Sequence, residues 1–105
     1  MFYLVRATVD LERASELHRM LRDGELDTKQ PFGRALTRGL RDARFDESTE
    51  EAVWLEEDTH SPPLSPSQTE LLERFFTDIT DERVTRTEGR KRLEGLPPLW
   101  DEVLE

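Results

Sequence analysis

The chain has 105 residues, a formal net charge of −9 and no cysteine. The length fits one domain, and the lack of cysteine excludes disulfides, thiolate metal sites and thiol catalysis. The negative charge disfavours a nucleic-acid partner, because phosphates would be repelled over most of the surface, and no apolar run approaches the roughly 18 residues that a membrane span needs.

These features predict a cytoplasmic protein that forms a single domain over residues 1–105. The first residues enter a strand-like segment, so we expect no secretion signal. The basic side chains are almost all arginine, since the only lysines are Lys29 and Lys91. Together with the 24 acidic residues, this composition fits either adaptation to high salt or a GC-rich genome.

Residues 2–9 are rich in β-branched and aromatic side chains, which predicts a strand. Alternate residues of a strand point to opposite sides of the sheet. One side is wholly apolar and is expected to pack on helices; it consists of Tyr3, Val5, Ala7 and Val9. The other side is mixed and consists of Phe2, Leu4, Arg6 and Thr8.

Asp10 is a good N-cap for a first helix, which we expect to run to about Asp23. Gly24 is suited to end it. The apolar stripe of this helix has the spacing of successive turns. Its members are Leu11, Ala14, Leu17, His18 and Leu21.

Pro31 is suited to the first position of a second helix. This helix is predicted to end near Gly39 and to be followed by a short strand. Alternatively it continues to Ala43, because the apolar spacing remains helical up to that residue. A turn over residues 46–51 then leads to a second clear strand over residues 52–57.

Residues 65–68 fit a capping box, with Pro66 in the first helical position. The helix that follows has the strongest apolar stripe of the chain, formed by Leu71, Leu72, Phe75, Phe76 and Ile79. A final strand is predicted over residues 82–87. Residues 96–105 are predicted to form an arm that packs back onto the body of the domain.

This order of elements predicts an α+β fold of the ferredoxin-like (βαββαβ) type. The antiparallel sheet would have its helices on one face and an extra helix in the first connection. The second face would remain open, with Phe2, Leu4 and Trp54 as candidates for an apolar patch. Such a patch favours pairing with another subunit, so we expect a homodimer or another protein partner.

The segment between the second clear strand and the next helix holds the side chains best suited to chemistry. If the strand continues through it, Trp54, Glu56, Asp58 and His60 share one face. His60 beside the two carboxylates could hold a divalent metal or act as a general acid or base. A metal site usually needs three protein ligands, and the other histidine, His18, lies on an apolar stripe. We therefore expect no metal and no cofactor.

The charge changes sign abruptly in the middle of the chain. Residues 28–44 contain five basic side chains against one acid, whereas residues 45–58 contain seven acids and no base. Arg34, Arg38 and Arg41 have the spacing of one helix face. Either this stripe binds an anionic ligand or an acidic partner, or it is a solvated face that pairs loosely with the acidic block.

The sequence has neither a glycine-rich phosphate loop nor a Gly-x-Ser-x-Gly elbow. We therefore favour a small acidic domain that acts by binding, through protein–protein association, rather than by catalysis. The alternative is a small enzyme or metal-binding protein that uses His60 with Glu56 and Asp58. In that case Arg38 or Arg41 would hold an anionic substrate.

Overall fold

Four strands and five α-helices make up the part of the chain that the structure, a computed structural model, describes: residues 1–29, 32–57 and 66–104. A single 3₁₀ turn, Leu26–Thr28, precedes the second helix. In chain order the elements are β1 (Phe2–Val9), α1 (Ala14–Arg22), α2 (Gly33–Arg41), β2 (Arg44–Asp46), β3 (Glu51–Glu57), α3 (Pro66–Leu72), β4 (Phe76–Val84), α4 (Arg86–Leu93) and α5 (Leu99–Val103).

The strands form one sheet in the order β2-β3-β1-β4. The central strand β1 pairs antiparallel with β3 on one side and with β4 on the other, and β2 pairs antiparallel with β3. The predicted α+β class and antiparallel sheet are therefore confirmed. The short strand expected after the second helix is also present, although that helix extends to Arg41.

The main core lies between the sheet and helices α1, α2 and α3. Val5 and Ala7 of β1 contribute to it, as the alternation predicts. Trp54 lies opposite Val5 in the β1–β3 register and is completely buried in the same core. The expectation that Trp54 lies on an open second face is therefore wrong, because directly opposed residues of antiparallel strands point to the same side.

The second face of the sheet is not open either. Leu4, Val53 and Val84 form a small core there, and Phe2, Leu55, Leu93 and Leu96 pack against it. Leu93 belongs to α4, a helix that the sequence patterns did not predict because it has almost no apolar stripe. The apolar patch that was expected to pair two subunits is thus covered by the chain itself.

Helices α2 and α4 approach β3 from opposite faces, and each does so through a glycine. A methyl group at Gly39 of α2 would lie 2.8 Å from Trp54 Cδ1 and 3.0 Å from the Leu55 carbonyl oxygen. A methyl group at Gly89 of α4 would overlap a methyl group of Leu55. The two glycines therefore set how closely these helices pack on consecutive residues of the strand.

Several predicted boundaries are wrong. Helix α2 begins at Gly33 rather than at residue 31, and the strand predicted over residues 82–87 ends at Val84, with α4 beginning at Arg86. Helix α1 begins at Ala14, so Leu11 is 67% exposed instead of joining the apolar stripe. Helix α3 ends at Leu72, and β4 begins at Phe76 rather than near residue 82. The physical reason is that the backbone groups of β1 on the side away from β3 need hydrogen-bond partners along the strand. Pairing with β4 supplies them, and this outweighs the helical spacing of the phenylalanines.

The C-terminal residues contact β2 and the end of α2. The Phe45 amide donates to the Pro97 carbonyl at 2.8 Å, and the Leu99 amide donates to the Ala43 carbonyl at 2.8 Å. Trp100 Nε1 donates to the Leu40 carbonyl at 2.8 Å. Within the described ranges, no helix is long and apolar enough to cross a membrane.

Candidate functional site

Glu56 is a buried carboxylate on the helix-facing side of β3. It is 2% exposed. Trp54 Nε1 donates to Glu56 Oε2 at 3.3 Å, and Gln68 Nε2 of α3 donates to Glu56 Oε1. A buried carboxylate is costly unless hydrogen bonds satisfy it, so these donors tie α3 and the indole of Trp54 to the sheet.

Trp54 and Glu56 do share a face, as predicted, but that face is the interior of the domain. The remaining members of the predicted row, Asp58 and His60, lie outside the described residues, as does Ser65 of the predicted capping box. The packing role of Gln68 was missed, because a glutamine near a helix start is commonly interpreted as a capping residue. A buried strand carboxylate that needs donors is the signal that points to it.

His18, the second histidine, is half-buried on α1. Its ring centroid lies 5.2 Å from that of Trp100. This contact gives His18 a packing role between the first helix and the C-terminal residues. In the described part of the chain, no group of three His, Asp or Glu side chains is arranged to hold a metal ion.

The arginine stripe lies on the outer side of α2. The inner side is fixed in the protein by five buried residues: Gly33, Leu36, Thr37, Gly39 and Leu40. Arg34, Arg38 and Arg41 are all exposed. Because residues three and four apart are neighbours on a helix surface, the three guanidinium groups form one continuous stripe, which we call the arginine face.

The arginine face has no carboxylate partner among the described ion pairs. Arg41 Nη2 donates to the Leu21 carbonyl at the end of α1, at 3.3 Å, which uses one of its five N–H donors. Arg34 and Arg38 make no described side-chain hydrogen bond. The hypothesis that this stripe pairs with the acidic block therefore finds no support in the described residues.

The acidic block has a different basic partner. Arg6 Nη1 of β1 lies 3.1 Å from Asp46 Oδ2 and 3.5 Å from Glu51 Oε1. Hydrogen bonds from Ser48, and secondly from Arg6, hold the pKa of Asp46 below its ordinary value. The acids at the base of the β2–β3 hairpin are thus neutralised from the sheet, and the arginine face is not needed for that purpose.

Helix α4 also has a basic outer surface, but its charges are partly engaged. Arg92 Nη2 lies 3.1 Å from Glu82 Oε2. Glu88 forms a capping box with Thr85 at the start of the helix and adds a negative charge to the surface. Arg86 and Arg90 are exposed and have no described ion pair, which makes them a matched comparison for the arginine face.

A surface cleft of about 410 Å³ lies between the start of α2 and α3. Lys29 and Arg74 line it together with Phe32 and Glu70. Its charges are of both signs, and Arg74 is also 3.9 Å from Glu16. The cleft therefore indicates no particular ligand charge, in contrast to the arginine face.

No protein-family model matches the chain, and no curated protein or solved structure is significantly similar to it. The function is therefore inferred from the geometry and charge of the described residues.

Proposed function

We propose that the protein acts as a protein–protein association module, and that the arginine face of α2 binds an acidic surface of the partner. One observation carries this proposal. In a chain with 24 acidic residues, three exposed arginines share a helix face and none has a described carboxylate partner.

The chemistry of arginine supports a carboxylate-bearing partner. The guanidinium group is planar and permanently charged, and its N–H donors match the two oxygens of a carboxylate. The α2 backbone is held by buried residues on its inner side, so the positions at which the three side chains leave the helix are set before binding. Preorganisation of this kind lowers the entropy that binding has to offset.

Fluorescence anisotropy with a labelled decaglutamate peptide tests the proposal. We expect the double variant R34E/R38E to bind the peptide at least about tenfold more weakly than the unaltered protein, because two attractions become repulsions. The matched control is R86E/R90E on α4, which has the same net charge and also alters two exposed arginines. It is expected to retain most of the affinity.

Equal loss of affinity in both variants would contradict the proposal, since binding would then follow net charge and not the arginine face. No loss in R34E/R38E would contradict it as well. Raising the salt concentration is expected to weaken the specific binding progressively, because exposed charges are screened.

Hydrogen bonds to Trp54 and Gln68 give the buried Glu56 a structural role. The enzymatic alternative depends on Asp58 and His60, which lie outside the described residues, so it stays a prediction. We do propose that the sheet is a ferredoxin-like variant with an extra helix in the first connection. This is supported by β1 lying between β3 and β4 and by the order of the elements. Cross-strand NOEs that place β4 beside β2 would contradict it. A cytoplasmic location, which fits the lack of cysteine, is part of the same proposal and is checked by cell fractionation.

A further inference from the structure

We propose that the acidic surface bound by the arginine face is the β2–β3 hairpin turn of a second copy of this chain, through Glu47 and Glu50. This inference rests on the proposed function and names its partner. Self-association would then occur through these two charged surfaces and not through the apolar face of the sheet, which α4 covers.

The hairpin turn presents its two carboxylates from a fixed backbone. Asp46 Oδ1 accepts hydrogen bonds from the Ser48 amide at 3.1 Å and from Ser48 Oγ at 2.6 Å. The Thr49 amide donates to the Asp46 carbonyl at 3.3 Å. Glu47 and Glu50 are both exposed at the tip of this turn.

The charges of the hairpin divide into two groups. Asp46 and Glu51, at its base, are paired with Arg6. Glu47 and Glu50 belong to no described ion pair. The tip therefore retains its negative charge, as the arginine face retains its positive charge.

The two surfaces are complementary in charge, and no described ion pair joins them within one molecule. In the chain, β2 (Arg44–Asp46) separates the end of α2 at Arg41 from the hairpin turn. In a two-fold dimer, the arginine face of each copy can contact the hairpin tip of the other. Such an isologous contact uses both surfaces of both copies and closes without open ends.

The net charge of −9 on each copy opposes this association at long range. At physiological ionic strength the Debye length is about 8 Å, so the repulsion between whole molecules is screened more than contacts between adjacent charges. Exposed ion pairs are individually weak. We therefore expect a weak dimer that forms at high protein concentration.

Charge exchange between the two surfaces tests the inference. Association is measured by sedimentation equilibrium at protein concentrations up to about 1 mM, so that a dissociation constant as weak as about 1 mM is detected. The variant R34E/R38E has acids on both surfaces, and the variant E47R/E50R has bases on both. Each alone is expected to be monomeric. Mixed in equal amounts, they are expected to form a heterodimer, because both contacts are then between opposite charges.

The control mixture combines E47R/E50R with R86E/R90E, which has the same net charge as R34E/R38E. It is expected to associate at least about tenfold more weakly than the charge-exchanged pair. Circular dichroism verifies that each variant is folded. Should a reversal variant unfold, the neutral variants R34Q/R38Q and E47Q/E50Q replace it, and each is expected to weaken the dimer of the unaltered chain.

Three results would overturn the inference: a monomeric unaltered protein at every concentration, a dimer that survives both reversals, or a charge-exchanged mixture that associates no better than the control mixture. The decaglutamate measurement distinguishes a failure of the self-association inference from a failure of the proposed function. If the protein is monomeric and yet binds the peptide through Arg34 and Arg38, only the identity of the partner is wrong. If peptide binding is also independent of these arginines, both proposals are wrong.

Discussion

Helices α2 and α4 both place a glycine on β3 and both expose arginines, yet they differ in how firmly they are held. Five of the nine residues of α2 are buried, whereas Gly89 is the one buried residue in α4. The outer surface of α2 has no acid between its arginines, whereas α4 has Glu88 and an ion pair to Glu82.

This difference explains why we assign binding to one basic helix and not to the other. A deep apolar contact fixes a helix without using its outer charges, so those charges remain available to a partner. A helix with little apolar contact depends on caps and ion pairs for its position, so its polar groups are partly occupied. Charge alone therefore does not identify a binding surface; the packing on the opposite side of the helix is also needed.

Loss of the Glu56 carboxylate is expected to lower the free energy of unfolding more than any other change, because Glu56 orients the Trp54 indole on which α2 packs. In Glu56→Ala, the donors of Trp54 and Gln68 lose a buried partner. We expect the free energy of unfolding to fall by about 2–4 kcal/mol, as measured by urea denaturation. The control Glu57→Ala, at the exposed neighbouring position, should change it by less than about 0.5 kcal/mol. Similar values for the two variants would contradict this role of Glu56.

Alanine substitutions at Gly39 and Gly89 compare directly how tightly α2 and α4 pack on β3. In Gly39→Ala the methyl group would lie 2.8 Å from Trp54 Cδ1, in the buried core, and 3.0 Å from the Leu55 backbone carbonyl oxygen. We expect these contacts to outweigh the gain of about 1 kcal/mol in helix propensity and to give a net loss of about 1–3 kcal/mol. In Gly89→Ala the methyl group meets only the flexible end of Leu55, and the helix gains about 1 kcal/mol of intrinsic propensity. The unfolding free energy should then change by less than about 1 kcal/mol. A greater loss in Gly89→Ala than in Gly39→Ala would show that α4 is the more tightly packed helix.

Thr37 lies on the buried inner side of α2, and its hydroxyl group has no hydrogen-bond partner among the described residues. Its Oγ1 is buried and is the only buried side-chain polar atom in the described residues without a hydrogen bond. Thr37→Val removes this group at nearly constant shape, so we expect a gain of about 1 kcal/mol in unfolding free energy. Thr37→Ala, which also leaves a cavity, is the control and should gain less. A destabilised Thr37→Val would mean that the hydroxyl has a partner in solution.

The smallest effect concerns the hairpin that faces the arginine face in the dimer we propose. In Ser48→Ala, Asp46 loses the Ser48 hydroxyl, the donor that lowers its pKa most, but keeps the Ser48 amide and Arg6. Its pKa should therefore rise part of the way toward the ordinary value in an NMR titration of the carboxyl carbon. A carboxyl group whose folded pKa is lowered stabilises the fold above its unfolded pKa, about 3.9, and this contribution disappears as the pH falls through the folded pKa. Ser48→Ala should therefore be slightly destabilised at pH 6, and the difference should disappear as the pH falls below the folded pKa of Asp46. An unchanged Asp46 pKa would contradict the turn geometry.

Much of the fold followed from local patterns in the sequence. The alternation of β1 and the sheet-forming residues of β3 predicted both strands, and the helical spacing of the apolar residues after position 31 predicted α2 and the face that its arginines share. These signals are local, so they survive without knowledge of the partners of each segment.

Features that depend on contacts between distant segments of the chain were not predicted. The nine-residue β4 forms because β1 needs a second neighbour, and its polar sequence does not indicate this. Helix α4 has no apolar stripe, so the covering of the second sheet face was unforeseen. The assignment of Trp54 to that face failed because the register of β3 against β1, which no single strand reveals, decides which residues point inward.

The most direct test of the central claim is an NMR titration of the ¹⁵N-labelled protein with decaglutamate. We predict that the largest shifts occur at the amide and guanidinium signals of Arg34, Arg38 and Arg41, and that the signals of Arg86 and Arg90 on α4 move far less. Shifts of equal size on both helices, or larger shifts on α4, would contradict the assignment of binding to the arginine face.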